Sequence, residues 1–165
     1  MSVEDGVSAE REEAFDRLIQ QGRLQEAKVL LIRRLRAGGA RDPVLLSRWA
    51  GLLLREGRLE AAARLLDHVL ATDPDCAPAW LNRGNAALEA GQLEEAESCY
   101  RRALEIRPDY VAAFNNLAVL FKRRGQIERM VAALKAAARA ERQASLPWWR
   151  RRGWGGLLPD RRPFA

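Results

Sequence analysis

The side chains able to do chemistry are few, and their spacing does not build an active site. His68 is the only histidine among 165 residues, and no nucleophile or second base recurs beside it at helical spacing. It is expected to be a partly exposed packing residue. Cys76 and Cys99 are the only cysteines, one in a turn before a helix and one inside a helix. Two thiols and one imidazole cannot close a zinc site. Both cysteines are read as small reduced side chains, and neither a metal nor a cofactor is expected. The acidic pairs Glu12-Glu13 and Glu94-Glu95 are adjacent, so their members diverge on a helix. They serve as solvated faces or first-turn charges that suit the helix dipole. No phosphate-binding glycine loop or nucleophile elbow is present, and the expectation is that the chain is not an enzyme.

A second group of expressive residues lies in the stretch 143–165, QASLPWWRRRGWGGLLPDRRPFA. Trp148, Trp149 and Trp154 stand beside Arg150, Arg151 and Arg152, while Pro147, Gly153, Gly155, Gly156, Pro159 and Pro163 forbid a long helix. Rings at headgroup depth with Arg on anionic lipid would make a membrane anchor. Arg on phosphates with Trp stacked on bases would hold nucleic acid. Alternatively, Leu146, Trp148, Trp149, Leu157 and Leu158 fold back on residues 127–142, pair two copies as a homodimer, or remain disordered.

Charge separates this tail from the rest. Residues 1–138 hold 21 Lys+Arg against 20 Asp+Glu, and residues 139–165 hold 7 against 2. The body is therefore a balanced, solvated surface, and the basic excess is concentrated in the tail. No apolar run approaches the ~18 residues of a membrane span, and the start MSVEDG lacks the basic and apolar regions of an export signal. A cytoplasmic location is the expectation.

The elements that must position all these groups repeat. Gly22, Gly57, Gly91 and Gly125 recur every 34 or 35 residues between two helical patterns, followed two residues later by Leu24, Leu59, Leu93 and Ile127. The clearest unit, 77–110, places Trp80, Gly84, Ala87 and Leu88 on one helical face. Gly91 ends that helix, since glycine alone takes the left-handed turn without strain. A second helix over about 93–106 carries Leu93, Ala96, Tyr100, Ala103 and Leu104, and Pro108 stops it. Gly84 is expected to face Ala96 and Ala103, letting the helices approach closely. In 43–76 the register continues as Leu46, Trp49-Ala50, Leu53, Leu59, Ala62, Leu66, Val69 and Pro74, with Asp42-Pro43 as N-cap and first helical residue. In 111–142 it runs Phe114, Leu117-Ala118, Phe121, Ile127, Leu134 and Ala137. Met130 here replaces the small alanine, and the last helix extends to about Gln143. Residues 8–41 are the most degenerate, keeping Ala14, Leu18, Leu24, Ala27 and Leu31 without the aromatic-and-proline frame.

This pattern resembles the tetratricopeptide-repeat family, whose motif is matched by Trp80, Arg83-Gly84, Gly91, Ala96, Tyr100, Ala103 and Pro108. Arg83 stands where leucine is usual. The resemblance implies an all-α fold, a right-handed α-solenoid of about eight antiparallel helices stacked in pairs. It implies a repeat domain over 1–142 (about 8–41, 43–76, 77–110 and 111–142) and a separate basic tail over 143–165. It also implies a concave groove lined by the first helix of each repeat. Carried onto this chain, those positions are Glu12, Glu13 and Asp16; Ser47, Arg48 and Arg55; Asn82, Asn85 and Glu89; and Asn115, Asn116, Lys122 and Arg123. Asn82 and Asn116 share one repeat position. Asparagine both donates and accepts, which suits holding an extended peptide whatever its sequence, and Arg48, Lys122 and Arg123 could meet a ligand carboxylate. The plainer alternative is that these residues cap local backbone or face water. One subgroup of the family clamps a chaperone's C-terminal carboxylate, but only Asn82 fits that pattern; Ser47, Gly51, Ala112 and Asn116 do not, and the clamp is not expected. The function implied is a scaffold that binds a peptide or helix of another protein. The alternative is a membrane or nucleic-acid tether acting through Trp148, Trp149, Arg150, Arg151, Arg152 and Trp154.

Overall fold

The computed structural model describes residues 14–15 and 17–145, which form helices joined by short turns. Contacts divide the chain into two compact units between Ile106 and Arg107. In the first unit, helix α1 is described at residues 14–15 and 17–20. It is followed by α2 (Leu24–Arg36), a 3-10 turn (Gly39–Arg41), α3 (Pro43–Arg55), α4 (Leu59–Thr72), α5 (Ala77–Glu89) and α6 (Leu93–Ile106). The second unit holds α7 (Val111–Arg123) and α8 (Ile127–Ser145). No strand occurs among the described residues.

The four periodic glycines end helices in one way. Gly22, Gly57, Gly91 and Gly125 have φ of 70°, 74°, 77° and 69°. Around Gly57, its own N–H donates to the Leu54 carbonyl at 3.0 Å, and Arg58 N–H donates to Leu53 at 2.9 Å. The same two bonds recur at Gly91 to Leu88 and Gln92 to Ala87, and at Gly125 to Lys122 and Gln126 to Phe121. This is the paired closure that a left-handed residue permits, and it satisfies carbonyls the helix end would leave open. Turns this short fold each helix back on its predecessor. At the start of α3, the Asp42 carboxylate accepts from Val44 N–H at 2.9 Å and Leu45 N–H at 3.3 Å, with Pro43 at the first helical position. The expected cap is present.

Two apolar clusters in the first unit share one ring. Phe15, Ala27, Leu31 and Leu52 form one, and Ala50, Leu53, Ala62, Leu66, Val69, Cys76 and Ala79 form the other; Trp49 packs against both. Full burial of a leucine such as Leu31 or Leu66 contributes about 1.5–3 kcal/mol. Phe15 supplies the aromatic that the degenerate first repeat lacks at the usual place. α3 packs on α4 and α5, α4 on α5, and α5 on α6.

The packing at Gly84 is tightest against a ring. A Cβ on Gly84 would lie 2.5 Å from Cε1 and 2.7 Å from Cδ1 of Tyr100. The nearest neighbour of Gly84 is therefore the Tyr100 ring. A fully buried phenol ring needs a flat seat, and only a residue without a side chain leaves one there. In the second unit α7 packs on α8. Leu117, Ala118, Leu120 and Phe121 of α7 and Ala133, Ala137 and Ala140 of α8 are buried. α8 runs two residues beyond Gln143. Ile127 and Leu134 keep the repeat pattern but lie exposed.

Candidate functional site

The asparagines of α5 are held by a chain of hydrogen bonds. Tyr100 Oη donates to Asn85 Oδ1 at 2.9 Å, Asn85 Nδ2 to Asn82 Oδ1 at 3.4 Å, and Asn82 Nδ2 to the Ser47 carbonyl of α3 at 2.7 Å. Gly51 makes the last bond accessible, because a Cβ there would sit 3.3 Å from Asn82 Nδ2. Asn82 therefore joins neighbouring hairpins, and Asn85 links it to the second helix of its own hairpin, instead of both standing free in water. Both remain half-buried, and the second Nδ2 proton of Asn82 lies beyond this bond. Ser47 is not a surface residue. It is fully buried, donates from Oγ to the Pro43 carbonyl at 2.6 Å, and lies 3.5 Å from Cys76 Sγ. A hydroxyl satisfied by its own helix's backbone can be buried at little cost. Arg48 is half-buried, with its guanidinium 5.0 Å from the Phe15 ring centre; Arg55 and Glu89 are exposed.

On α7, Asn115 is exposed and Asn116 half-buried, while Lys122 and Arg123 are exposed at the helix's last turn. Cations there suit the negative end of the helix dipole. Seven residues separate Asn115 from Lys122 and Asn116 from Arg123, which places each pair on one side of the helix. The N-terminal end of α7 borders an open depression of about 460 Å³ lined by Arg107, Asp109, Tyr110, Val111, Ala112 and Asn115. The Arg107 guanidinium lies over the Tyr110 ring at 3.3 Å. Only Asn115 of these residues stood out in the sequence; the X-Pro-Asp-Tyr turn after α6 was the available signal for the others.

Arg83 explains the departure from leucine. It pairs with Asp67 of α4 at 2.9 Å and Glu95 of α6 at 2.7 Å, with 23% of its side chain exposed. Burial alone would lower its pKa, but the two acids outweigh that and raise it. Nearby, burial pushes the Cys99 thiol up to about 11; Arg83 pulls it down, while Glu95 and Asp67 add to the rise. That thiol is neutral and unreactive at ordinary pH. Cys76 and Cys99 are both buried and unpaired. His68 is exposed, not the packing residue expected, because its place on α4 faces away from α3 and α5. Among the described residues no three His, Cys, Asp or Glu gather as a metal set, and no described helix is long and apolar enough to cross a membrane. Glu12, Glu13, Asp16 and the tail residues Trp148, Trp149, Arg150, Arg151, Arg152 and Trp154 lie outside the described residues.

Residues 77–110, 43–86 and 99–132 each match a family model described as tetratricopeptide repeat. The tetratricopeptide repeat-containing protein trd-1 of Caenorhabditis elegans is 33% identical over 75 residues, which are 46% of this chain and 10% of that protein. The chain thus spans about a tenth of the length of that curated relative. Among solved structures, TTC0263, a thermophilic TPR protein of Thermus thermophilus, superposes with TM-score 0.68 at 22% identity, covering 81% of this chain and 74% of that one. The second TPR of Spaghetti (RPAP3), bound to the HSP90 peptide SRMEEVD, gives 0.54 at 20% identity, covering 62% and 96%. These likenesses show the fold, an all-α solenoid of helix pairs.

Proposed function

Because this chain belongs to the tetratricopeptide-repeat family, we propose that it is a non-enzymatic adaptor that holds a peptide segment of another protein. In each unit, taken by itself, the contact surface is the first-helix face of its hairpins. The carrying observation is positional. Within the first unit, Arg48 on α3 and Asn82 on α5 stand 34 residues apart at one repeat position, both half-buried; in the second unit, Asn116 on α7 holds that repeat position in the sequence and is half-buried too. A polar group that is held yet reachable loses little freedom on binding, which favours it over a fully mobile one. The hydrogen bonds of Asn82 and Asn85 keep the surface of the first unit in a fixed pose; on the second unit, Lys122 and Arg123 offer positive charge for an acidic side chain or terminal carboxylate. A peptide bound to the TPR of Spaghetti supports the same mode of capture, without carrying its ligand over. Two buried unpaired cysteines suit a reducing, cytoplasmic setting.

Peptides selected from a random displayed library against the full chain test this reading. Selected sequences should lose tenfold or more in affinity when Asn116→Ala or the pair Lys122→Glu and Arg123→Glu is introduced, with helicity unchanged. Enrichment no better than a blank surface, or affinities indifferent to these changes, would sink it.

A further inference from the structure

The near balance of charge over the body is the sum of two unequal parts. From Arg23 to Arg58 there are nine Lys and Arg against three acids, whereas residues 59–106 carry four against nine. All three acids of the first stretch are committed. Glu26 pairs with Arg23 and Glu56 with Lys28, both at 2.6 Å, and the Asp42 carboxylate caps α3. In the second stretch every arginine is paired: Arg64 with Glu60, Arg83 with Asp67 and Glu95, Arg101 with Glu97, and Arg102 with Asp75 and Glu105. Arg33, Arg34 and Arg36 fill the last turn of α2, and Arg41 lies in the 3-10 turn packed on that helix. These four make no ion pair among the described residues. Arg33, Arg36 and Arg41 are exposed, and Arg34 is half-buried. The dipole of α2 favours cations in its last turn but does not account for Arg41, five residues beyond it.

We propose that these four arginines form a contact for the phosphate backbone of duplex nucleic acid, held by charge and without reading its sequence. The chemistry of the patch selects that partner. A protein interface is built on an apolar core, and among the described residues no exposed large hydrophobic lies between Val29 and Val119. Leu35 and Leu45, beside the arginines, pack against the first apolar cluster. A membrane surface also asks for an apolar side chain to insert. Unpaired bases need a ring to stack on, and Trp49, the only aromatic from Arg23 to Arg58, packs against both clusters. Duplex phosphates ask only for cations and donors. They present one charge per about 1.7 Å of helix axis, and side chains three residues apart, such as Arg33 and Arg36, are neighbours about 5–6 Å apart on one helix face. Each guanidinium can then take a phosphate through two parallel N–H bonds. Gly38, with φ of 110° and open space where a Cβ would stand, keeps the rim between Arg36 and Arg41 low enough for a backbone to lie across it. The acidic stretch 59–106 repels a polyanion and steers it to this end of the unit. α2 is the second helix of its hairpin, so the contact stands apart from the first-helix surface proposed for a peptide.

Fluorescence anisotropy of a labelled DNA duplex of about 20 base pairs, titrated with the full chain in rising salt, tests the contact. Two duplexes of unrelated sequence should bind alike. Arg33→Gln, Arg36→Gln and Arg41→Gln together should weaken binding about tenfold or more at roughly 50 mM salt and flatten the slope of log K against log salt by about 2.7, with helicity unchanged. Arg55→Gln, Arg58→Gln and Arg64→Gln remove the same charge elsewhere on the unit and should change affinity less than about threefold. Equal losses from the two triple variants would reduce the effect to net charge and overturn the proposal, as would the absence of salt-sensitive binding. It is also overturned if affinity is lost only with Arg150→Gln, Arg151→Gln and Arg152→Gln, which would move the contact to the basic tail. Tighter binding of a polyglutamate peptide or of phosphatidylserine vesicles than of the duplex would give the patch to an acidic protein or to lipid and overturn it too.

Discussion

Arg83 sits one residue before the glycine that seats Tyr100, and it holds acids from the helices on either side of its own. Arg83 and Glu95 are only partly exposed, so the Coulomb energy of that pair is screened less than at a free surface, while Asp67 is open to solvent. Truncation leaves two carboxylates without their counter-charge, while an apolar replacement of similar length fills the space instead. Arg83→Ala is therefore expected to cost about 1–2 kcal/mol in urea denaturation, and Arg83→Leu to stay within about 1 kcal/mol of the parent. A leucine variant as unstable as the alanine one would show that the lost charge pairs, not packing, are at stake. Cys99 gives a pH signature. Its folded pKa is raised from 9.0 to about 11, so the folded state keeps a proton that the unfolded chain releases. The contribution is complete below about pH 9 and is lost as pH climbs through 11. Stability should decline across that window, and Cys99→Ala should flatten the decline.

The helix ends were the part of the fold most legible from composition alone. A positive φ nearly requires glycine, so Gly57 or Gly91 announces its turn without reference to anything distant. Asp42-Pro43 is equally local, because the cap bonds reach only two and three residues ahead. The partners of Asn82 and Gly84 were not legible. Asn82 meets a carbonyl 35 residues away, admitted by a missing side chain at Gly51 on another helix, and no periodicity encodes such a pairing. Ser47 misled for the same reason: a polar residue at a surface-type position was turned inward by a bond to its own helix. Gly84 gives the element-scale test. Alanine in a helix interior ordinarily gains up to about 1 kcal/mol over glycine. Here its Cβ would meet the buried Tyr100 ring at 2.5 Å, so Gly84→Ala should instead destabilise by about 1–3 kcal/mol. Thermal melts of this variant and of Gly84→Ala with Tyr100→Leu would separate the terms, the second change relieving part of the loss.

At the scale of the molecule, charge and structure are partitioned differently along the chain. The balanced stretch 1–138 contains nearly all the described helices, and their interhelix bonds include those of Arg83, of Asn82, of Tyr100 to Asn85, and of Lys28 to Glu56 at 2.6 Å. The periodic turns hold a further implication. Each is closed by main-chain bonds around a single glycine, with no donation from neighbouring side chains needed. A joint of that sort is indifferent to what is spliced beside it. Gene duplication can then add or drop a whole 34-residue cassette without redesigning the hinge. Natural selection is left to adjust only the flanks, where one cassette meets the next.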